Sequence, residues 1–252
     1  MQEAGWIMTD MATYLIIIVS AMVHGLLGLG FPMLATPLLA LISDVRAAIV
    51  LLLFPTLAIN LVNVIHGGHW RESIGRFWPL AIFGAIGSLL GTRLLILTDP
   101  APYKLLLAAM IIVYLNTHRF GIRLDWVRRH PVYASALFGL IGGLLAGTVN
   151  VMVPALIIFA LEMNLTPLIT VQVFNFCFFF GKLSQGAVLA SHGYLDAAYV
   201  ITVLPIVGVA LLALGAGMYF RNRIDIERYR RWLRRVLAAI TLLLILQYIG
   251  IV

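Results

Sequence analysis

An otherwise apolar run is interrupted by three glycines and two prolines in the stretch His24-Gly-Leu-Leu-Gly-Leu-Gly-Phe-Pro-Met-Leu-Ala-Thr-Pro37. Proline lacks a backbone N–H and obstructs the preceding turn, and glycine weakens a helix interior. Regular helix is therefore expected to stop near Gly28 to Pro32, leaving backbone groups outside the helical ladder. In a membrane, such groups are tolerated only where they face protein or a water-filled cavity. This stretch is thus a candidate binding site.

The composition is that of a polytopic membrane protein. Of 252 residues, 62% are hydrophobic and 11% are charged, which leaves too little polar surface for a soluble globule. A spanning helix needs roughly 20 apolar residues. The net charge of +7 resides mainly in short loops, so we interpret it as a topology signal and predict no nucleic-acid partner. The first segment lacks the positive flank of a cleaved signal and is expected to be retained.

The chain also contains an internal repeat. At one constant offset, Gly25, Gly30 and Pro37 match Gly142, Gly147 and Pro154, and a second run of matches follows at a slightly larger offset. We therefore predict a first repeat at 1–118, a cytoplasmic basic linker at 119–131 and a second repeat at 132–252. The predicted segments are a broken segment at 12–42 with helices at 45–65, 77–97 and 101–118, and a broken segment at 132–163 with helices at 165–190, 197–220 and 233–252.

The distribution of arginine and lysine bears on the orientation of the repeats. If segments 12–42 and 132–163 each crossed the membrane once, the basic loops would fall on opposite faces, against the positive-inside tendency. If each segment turns back at its break, most of the 17 basic residues lie on the cytoplasmic side. We therefore expect an all-α polytopic membrane protein with two inverted repeats, each a broken or re-entrant helical hairpin followed by three transmembrane helices. A single broken helix remains the alternative for each segment.

The two glycine-rich stretches, Gly25-Leu-Leu-Gly-Leu-Gly-Phe-Pro32 and Gly142-Gly-Leu-Leu-Ala-Gly-Thr-Val-Asn-Val-Met-Val-Pro154, resemble the sulfite exporter TauE/SafE family, also called the toluene sulfonate uptake permease family. The resemblance extends over essentially the whole chain. It implies a multi-pass secondary carrier for small sulfur-containing anions, such as sulfite, sulfonates or sulfoacetate, in a bacterial inner membrane. Phe31-Pro32 stands where family members often continue with glycines, so no particular substrate is inferred from this motif.

The residues favour an anionic substrate independently of the resemblance. A half-helix that starts after each break, near Pro32 and near Val151, would direct free N–H groups and its positive dipole end toward the centre. The alternative is that the glycines only allow close helix packing. Asn150 would either cap its half-helix or donate a hydrogen bond to the substrate. The substrate-binding residues predicted at the two breaks are Gly28, Gly30, Phe31, Pro32, Gly147, Thr148 and Asn150.

Further polar candidates lie on the helices that follow the breaks. Gln172, Asn175 and Lys182 share one face of segment 165–190. A lysine at the membrane centre costs at least ~2.5–3.5 kcal/mol, so Lys182 needs a partner or a wet cavity, unless it snorkels to the interface. Asn60 and Asn63 supply the corresponding amides in the first repeat.

His24 is a candidate for proton coupling because imidazole titrates near neutral pH; a hydrogen-bonded packing role is the alternative. No metal site or cofactor is predicted, since His66 and His69 have no cysteine or carboxylate companion. The expected partners are a small anionic substrate, membrane lipids and a coupling H⁺ or Na⁺, and the sequence does not predict the oligomeric state.

Together these features predict a secondary transporter that binds its anion between the repeats and works by alternating access. Export is favoured, because each negative charge leaving a cell gains about 2.3 kcal/mol per 100 mV of inside-negative potential. A lipid-phosphate flippase or a carrier of another small organic anion is the alternative. An intramembrane enzyme is less favoured, because the sequence has no GxSxG or HExxH motif and no paired intramembrane aspartates.

Overall fold

The computed structural model describes residues 10–116, 124–223 and 226–251, and the predicted linker 119–131 lies partly outside these ranges. The described chain is built from helices, which confirms the all-α membrane class. The helices are α1 (Met11–Leu27), α2 (Phe31–Ile42), α3 (Val45–Leu51), α4 (Leu53–Gly67), α5 (Ile74–Leu97), α6 (Ala101–Asn116), α7 (Asp125–Arg129), α8 (Pro131–Val149), α9 (Val153–Glu162), α10 (Pro167–Ser191), α11 (Ala197–Phe220) and α12 (Ile226–Tyr248).

Within the described residues, four helices are long and apolar enough to cross a membrane alone, namely α5, α8, α10 and α11. The pair α3 and α4 is long and apolar enough to count as a fifth span if taken together, but it is bent by 51° at its break, and the sequence pattern of segment 45–65 does not reveal this bend. The short helix α7 also lies where only a linker was predicted.

Both broken segments stop where the backbone enters the left-handed region. Helix α1 ends at Leu27, and Gly28 and Gly30 follow with φ of 78° and 109°, so that α2 can restart at Phe31. In the second segment the same conformation is taken by Asn150, with φ of 62°. Glycine adopts this region without a steric penalty, and asparagine tolerates it better than most residues. The two breaks therefore use different residues to reach the same left-handed backbone conformation.

Each broken segment turns back toward the end of the bundle where it began. Thr13 at the start of α1 lines the same small cavity as Leu39 and Ser43 at the end of α2. In the second segment, Pro131 at the start of α8 and Met163 after α9 likewise line one pocket. These shared cavities place the two ends of each pair together, as in a hairpin.

The two hairpins open at opposite ends of α5, a helix of 24 residues that spans about 36 Å. Arg46, which follows the first hairpin, donates hydrogen bonds to the carbonyl oxygens of Leu95 at 2.8 Å and Thr98 at 2.6 Å, at the C-terminal end of α5. The open end of the second hairpin instead shares its pocket with Arg76 at the N-terminal end of α5. The open ends of the two helix pairs therefore lie near opposite ends of α5.

In the order of the predicted repeats, helices α1, α2, α4, α5 and α6 correspond to α8, α9, α10, α11 and α12. Corresponding helices make corresponding contacts: α1 packs on α11 as α8 packs on α5, and α2 packs on α12 as α9 packs on α6. The contacts of α4 with α10 and of α6 with α12 each join two corresponding helices. The first two contacts are close because glycines meet there, Gly25 with Gly217 and Gly147 with Gly91. A two-fold relation between the halves would produce this pattern.

Candidate functional site

A buried cavity of about 20 Å³, here called the central cavity, lies between the two breaks. Its volume is enough for about one water molecule. Three of the predicted site residues line it, namely Pro32, Asn150 and Lys182. The other lining residues are Thr56, Ser88, Ala146, Met152, Val153, Phe178, Gly181 and Gln185.

Both half-helices present their N-terminal ends to the central cavity. Pro32 is the second residue of α2, and Val153 is the first residue of α9. Neither helix has a side-chain cap that is close in sequence: Met152 is the N-cap of α9 and Gly30 that of α2. The first turn of an α-helix carries the positive end of the dipole. Pro32 and Pro154 have no N–H and the Phe31 N–H bonds to His24, so the helix ends act on the cavity mainly through their dipoles and the few remaining N–H groups.

Asn150 connects the two hairpins and does not cap α9. Its amide nitrogen donates a 2.8 Å hydrogen bond to the hydroxyl oxygen of Thr36, inside α2. Both side chains are buried. Asn150 therefore has a role that the sequence analysis did not offer, since its amide holds one half-helix against the other.

Lys182 is the charged residue of the cavity lining. Its side chain is 4% exposed, and its ammonium group donates a hydrogen bond to the amide oxygen of Gln185. The amide nitrogen of Gln185 in turn lies 3.3 Å from the carbonyl oxygen of Gly147, just before the second break. No aspartate or glutamate among the described residues lines the cavity. The lysine is thus held by a neutral acceptor, and no carboxylate of the lining would compete with an anion for it.

Two polar side chains on α4 have no hydrogen-bond partner in the part of the chain that the structure describes. The hydroxyl of Thr56 and both amide atoms of Asn60 are buried and unsatisfied, and both residues are 0% exposed. Four residues apart, they lie on the same face of α4, and Thr56 lines the central cavity. An unsatisfied buried polar group is costly, so a functional reason is expected for each.

The first break is held by His24. The backbone N–H of Phe31 donates to Nδ1 of His24 at 3.1 Å, while Nε2 of His24 lies 3.1 Å from the side-chain oxygen of Asn175. Asn175 also donates to the carbonyl oxygen of Gly28 at 2.8 Å. Because Nδ1 accepts, the proton of a neutral ring is on Nε2. A doubly protonated His24 would lose the hydrogen bond from the Phe31 N–H, so protonation would remove a contact that holds the first break.

The remaining predicted residues do not line the central cavity. Gln172 binds the turn after α4, where it accepts from the Ser73 hydroxyl at 2.8 Å and donates to the Val64 carbonyl at 3.1 Å. The Asn63 amide and the Thr148 hydroxyl bond to carbonyl oxygens of their own helices, Asn60 is the unsatisfied amide described above, Asn175 holds the first break, and the glycines form turns or helix contacts. This group comprises Gly28, Gly30, Phe31, Asn60, Asn63, Gly147, Thr148, Gln172 and Asn175, with His24 also outside the lining.

Sequence reasoning did not place Thr56, Ser88 or Gln185 in the site. Thr56 precedes Asn60 by four residues and Gln185 follows Lys182 by three, so helical spacing from the predicted residues could have found both. Ser88 has no such signal. It reaches the cavity from α5, where its hydroxyl donates to the Gly181 carbonyl at 2.8 Å.

A second, larger space of about 340 Å³, here called the vestibule, lies beside the first break. It is lined by Leu27 and Leu29 of the break, by Phe174 of α10 and by Arg234 of α12. Phe174 lies one turn from Phe178, which lines the central cavity, and the two ring centroids are 6.2 Å apart. This ring pair stands between the vestibule and the central cavity.

Comparison with known proteins places this architecture in a family. No curated protein and no solved structure matches the chain. The family model described as "Sulfite exporter TauE/SafE" matches residues 13–248, which is nearly the whole chain and includes both breaks. The protein therefore belongs to the sulfite exporter TauE/SafE family, whose members are multi-pass membrane transporters of sulfur anions and not enzymes.

Proposed function

We propose that this protein moves a small sulfur oxyanion, of the sulfite or sulfonate type, across the membrane and binds it in the central cavity. The carrying observation is that the N-terminal ends of α2 and α9 line the same cavity as Lys182. A buried ammonium in a bilayer is costly unless it is compensated. A bound anion would neutralise it and would accept hydrogen bonds from the helix ends.

The proposed transport cycle is alternating access between two sides of the central cavity. A cavity with room for about one water is too small for a sulfur oxyanion, so this conformation is interpreted as closed. The vestibule supplies one access route, because it reaches the first break from the end where Arg234 lies. The opposite openings of the two hairpins and the paired helix contacts support an inverted-repeat relation, which would supply a second route by the same motion on the other side.

Export is the proposed direction. The potential of an energised cell drives anions outward, with about 2.3 kcal/mol per charge at 100 mV. Import would need a coupled H⁺ or Na⁺. Arg234 lies at the vestibule mouth, where it would attract an anion.

Counterflow of radiolabelled sulfite in proteoliposomes tests the proposal. We expect labelled sulfite to accumulate in vesicles preloaded with unlabelled sulfite or a small sulfonate. Phosphatidic acid and acetate serve as competitors for the flippase and organic-anion alternatives. Failure of every sulfur anion to drive counterflow, with retained uptake of a carboxylate, would overturn the substrate class and leave the carrier architecture standing.

The first prediction concerns the ring pair at the vestibule. We expect Phe178→Ala to speed sulfite exchange by about 2- to 10-fold, because an aromatic pair contributes about 0.5–1.5 kcal/mol to the closed state. The initial rate of exchange in proteoliposomes measures this effect. Phe180→Ala is the control, since that ring packs on Phe176 and Phe179 and lines neither cavity. An unchanged rate in a folded Phe178 variant would show that the pair is not the barrier.

The second prediction concerns the unsatisfied hydroxyl of Thr56. We expect Thr56→Val to leave thermal stability unchanged or higher, because no hydrogen bond is lost in the closed state. Sulfite transport should fall by about 2- to 10-fold, the value of one neutral hydrogen bond to the substrate. Thr92→Val is the control, because the Thr92 hydroxyl bonds to Ser88 of its own helix. Equal transport in both variants would remove Thr56 from the site.

A further inference from the structure

A pocket of about 310 Å³ lies at the open end of the second hairpin, separate from the central cavity and the vestibule. We call it the arginine pocket, because Arg76 of α5 and Arg128 of α7 both line it. Ser135 of α8 and Asn164 after α9 add polar groups, and Phe77 and Val132 add apolar surface. Three separate stretches of the chain, 76–79, 128–135 and 163–164, thus contribute to one basic pocket.

The charge of the arginine pocket is not balanced by its lining, in which the described part of the chain places no aspartate or glutamate. The guanidinium of Arg76 lies over the Phe77 ring, with 5.2 Å from its carbon to the ring centroid. Nε of Arg128 donates to the backbone carbonyl of Glu162, whose carboxylate accepts instead from the Leu124 backbone N–H. Helix α8 begins at Pro131 in the pocket wall with the positive end of its dipole, and α9 ends at Glu162 beside the pocket with its negative end, so the net positive charge of the pocket comes from the two arginines.

Exposed aromatic rings indicate the level of the membrane at which this pocket lies. Trp78 and Tyr133 are next in sequence to pocket residues, and their side chains are 53% and 74% exposed. Tryptophan and tyrosine concentrate at membrane–water interfaces, at the level of lipid headgroups. Val132 in the pocket wall is exposed as well, so an apolar surface borders the two arginines. A soluble anion would gain nothing from that surface, whereas a lipid has acyl chains to cover it.

We propose that the arginine pocket binds the phosphate group of an anionic phospholipid, with its acyl chains against Val132 and Trp78. The phosphate bridges α5 and α7 across the open end of the second hairpin. Basic pockets between membrane helices are suited to such headgroups, and each arginine near the surface contributes to anionic-lipid binding. The bound lipid thereby stabilises the position of the hairpin that carries the second break.

Lipid binding to the purified full-length protein tests this assignment. In detergent micelles supplemented with phosphatidylglycerol or phosphatidylcholine, native mass spectrometry counts retained lipids and a thermal melt reports stabilisation. We expect phosphatidylglycerol to be retained preferentially and to raise the melting temperature. Arg76→Gln should weaken retention by about fivefold, and Arg76→Gln with Arg128→Gln should weaken it further. Arg129→Gln is the control, because Arg129 is exposed on α7 and does not line the pocket.

Two outcomes would overturn the assignment. Retention of phosphatidylglycerol by Arg76→Gln at the wild-type level would place the lipid elsewhere. This variant is decisive even if the double variant fails to fold, since the ring contact with Phe77 is the one interaction that Arg76 makes among the described residues. Stabilisation by inorganic phosphate equal to that by phosphatidylglycerol would identify a site for a free anion. These readouts are independent of sulfite transport.

Discussion

Replacing Lys182 with methionine is expected to lower sulfite transport by about 10- to 100-fold and to leave the protein at least as stable as the wild type. A hydrogen bond to a charged group contributes about 1.5–3 kcal/mol, which corresponds to this range of affinity. Proteoliposome counterflow measures the transport loss, and a thermal melt in detergent measures stability.

The two readouts separate a substrate role from a structural one. A buried ammonium costs about 2.5–3.5 kcal/mol at the membrane centre, so its removal stabilises the empty protein unless the bond to Gln185 compensates fully. A residue that only supports the fold would instead lower stability and transport together. Lower transport together with unchanged or higher stability is therefore the result expected if Lys182 binds the anion.

Lys104 offers a matched control because Lys104 and Lys182 are the two lysines of the chain. Its ammonium donates a 3.0 Å hydrogen bond to Gln247, between α6 and α12, away from the central cavity. Lys104→Met also removes one positive charge and one hydrogen bond to a glutamine, and we expect near-normal transport. Full transport by Lys182→Met would exclude the lysine from the site and require the helix ends alone to bind the anion.

Replacing Gly147 with alanine is expected to destabilise the protein by about 1–3 kcal/mol, the usual effect of overpacking. An added methyl group would lie 2.6 Å from the backbone nitrogen of Thr92 and even closer to the Ser88 carbonyl. Both obstacles are backbone atoms of α5, which cannot rotate away as a side chain can. The contact between α5 and α8 would have to open, and the second break would move with it.

Gly208→Ala is the control for helix propensity. Gly208 lies inside α11 with nothing within 4 Å of the added carbon. Alanine is favoured over glycine in a helix by up to about 1 kcal/mol. The same substitution should therefore stabilise the protein at position 208 and destabilise it at position 147, as measured by melting temperature and by the monodisperse fraction after purification. Stability of the Gly147 variant at the wild-type level would show that α5 and α8 can separate freely.

Gly147 illustrates a residue whose place beside a break could be predicted from the sequence, while its contacts could not. The sequence placed it beside a break and offered two interpretations, substrate contact and close packing. In the structure its Cα faces α5, while its carbonyl oxygen accepts from Gln185. The direction of a helical glycine depends on how the helix is rotated against its neighbour, which periodicity of an all-apolar segment does not specify.

The polar residues of α10 show the same limit. Gln172, Asn175 and Lys182 share one helical face, yet they have three different partners. Along the helix they reach successively the α4–α5 turn, the first break and the central cavity. A helix of 25 residues passes several levels of the bundle, so residues on one face can serve unrelated contacts.

The sequence by itself determined the membrane class and the all-helical fold, because long apolar runs act through local backbone and solvation physics. It also contains the glycine and asparagine residues at which α1 and α8 end. Only the tertiary structure decided which polar groups meet. Thr56, Ser88 and Gln185 come from three helices, and they converge with Lys182 because each broken segment folds back and glycine contacts bring α8 close to α5. Such convergence depends on the rotation and depth of packed helices, which no local pattern encodes.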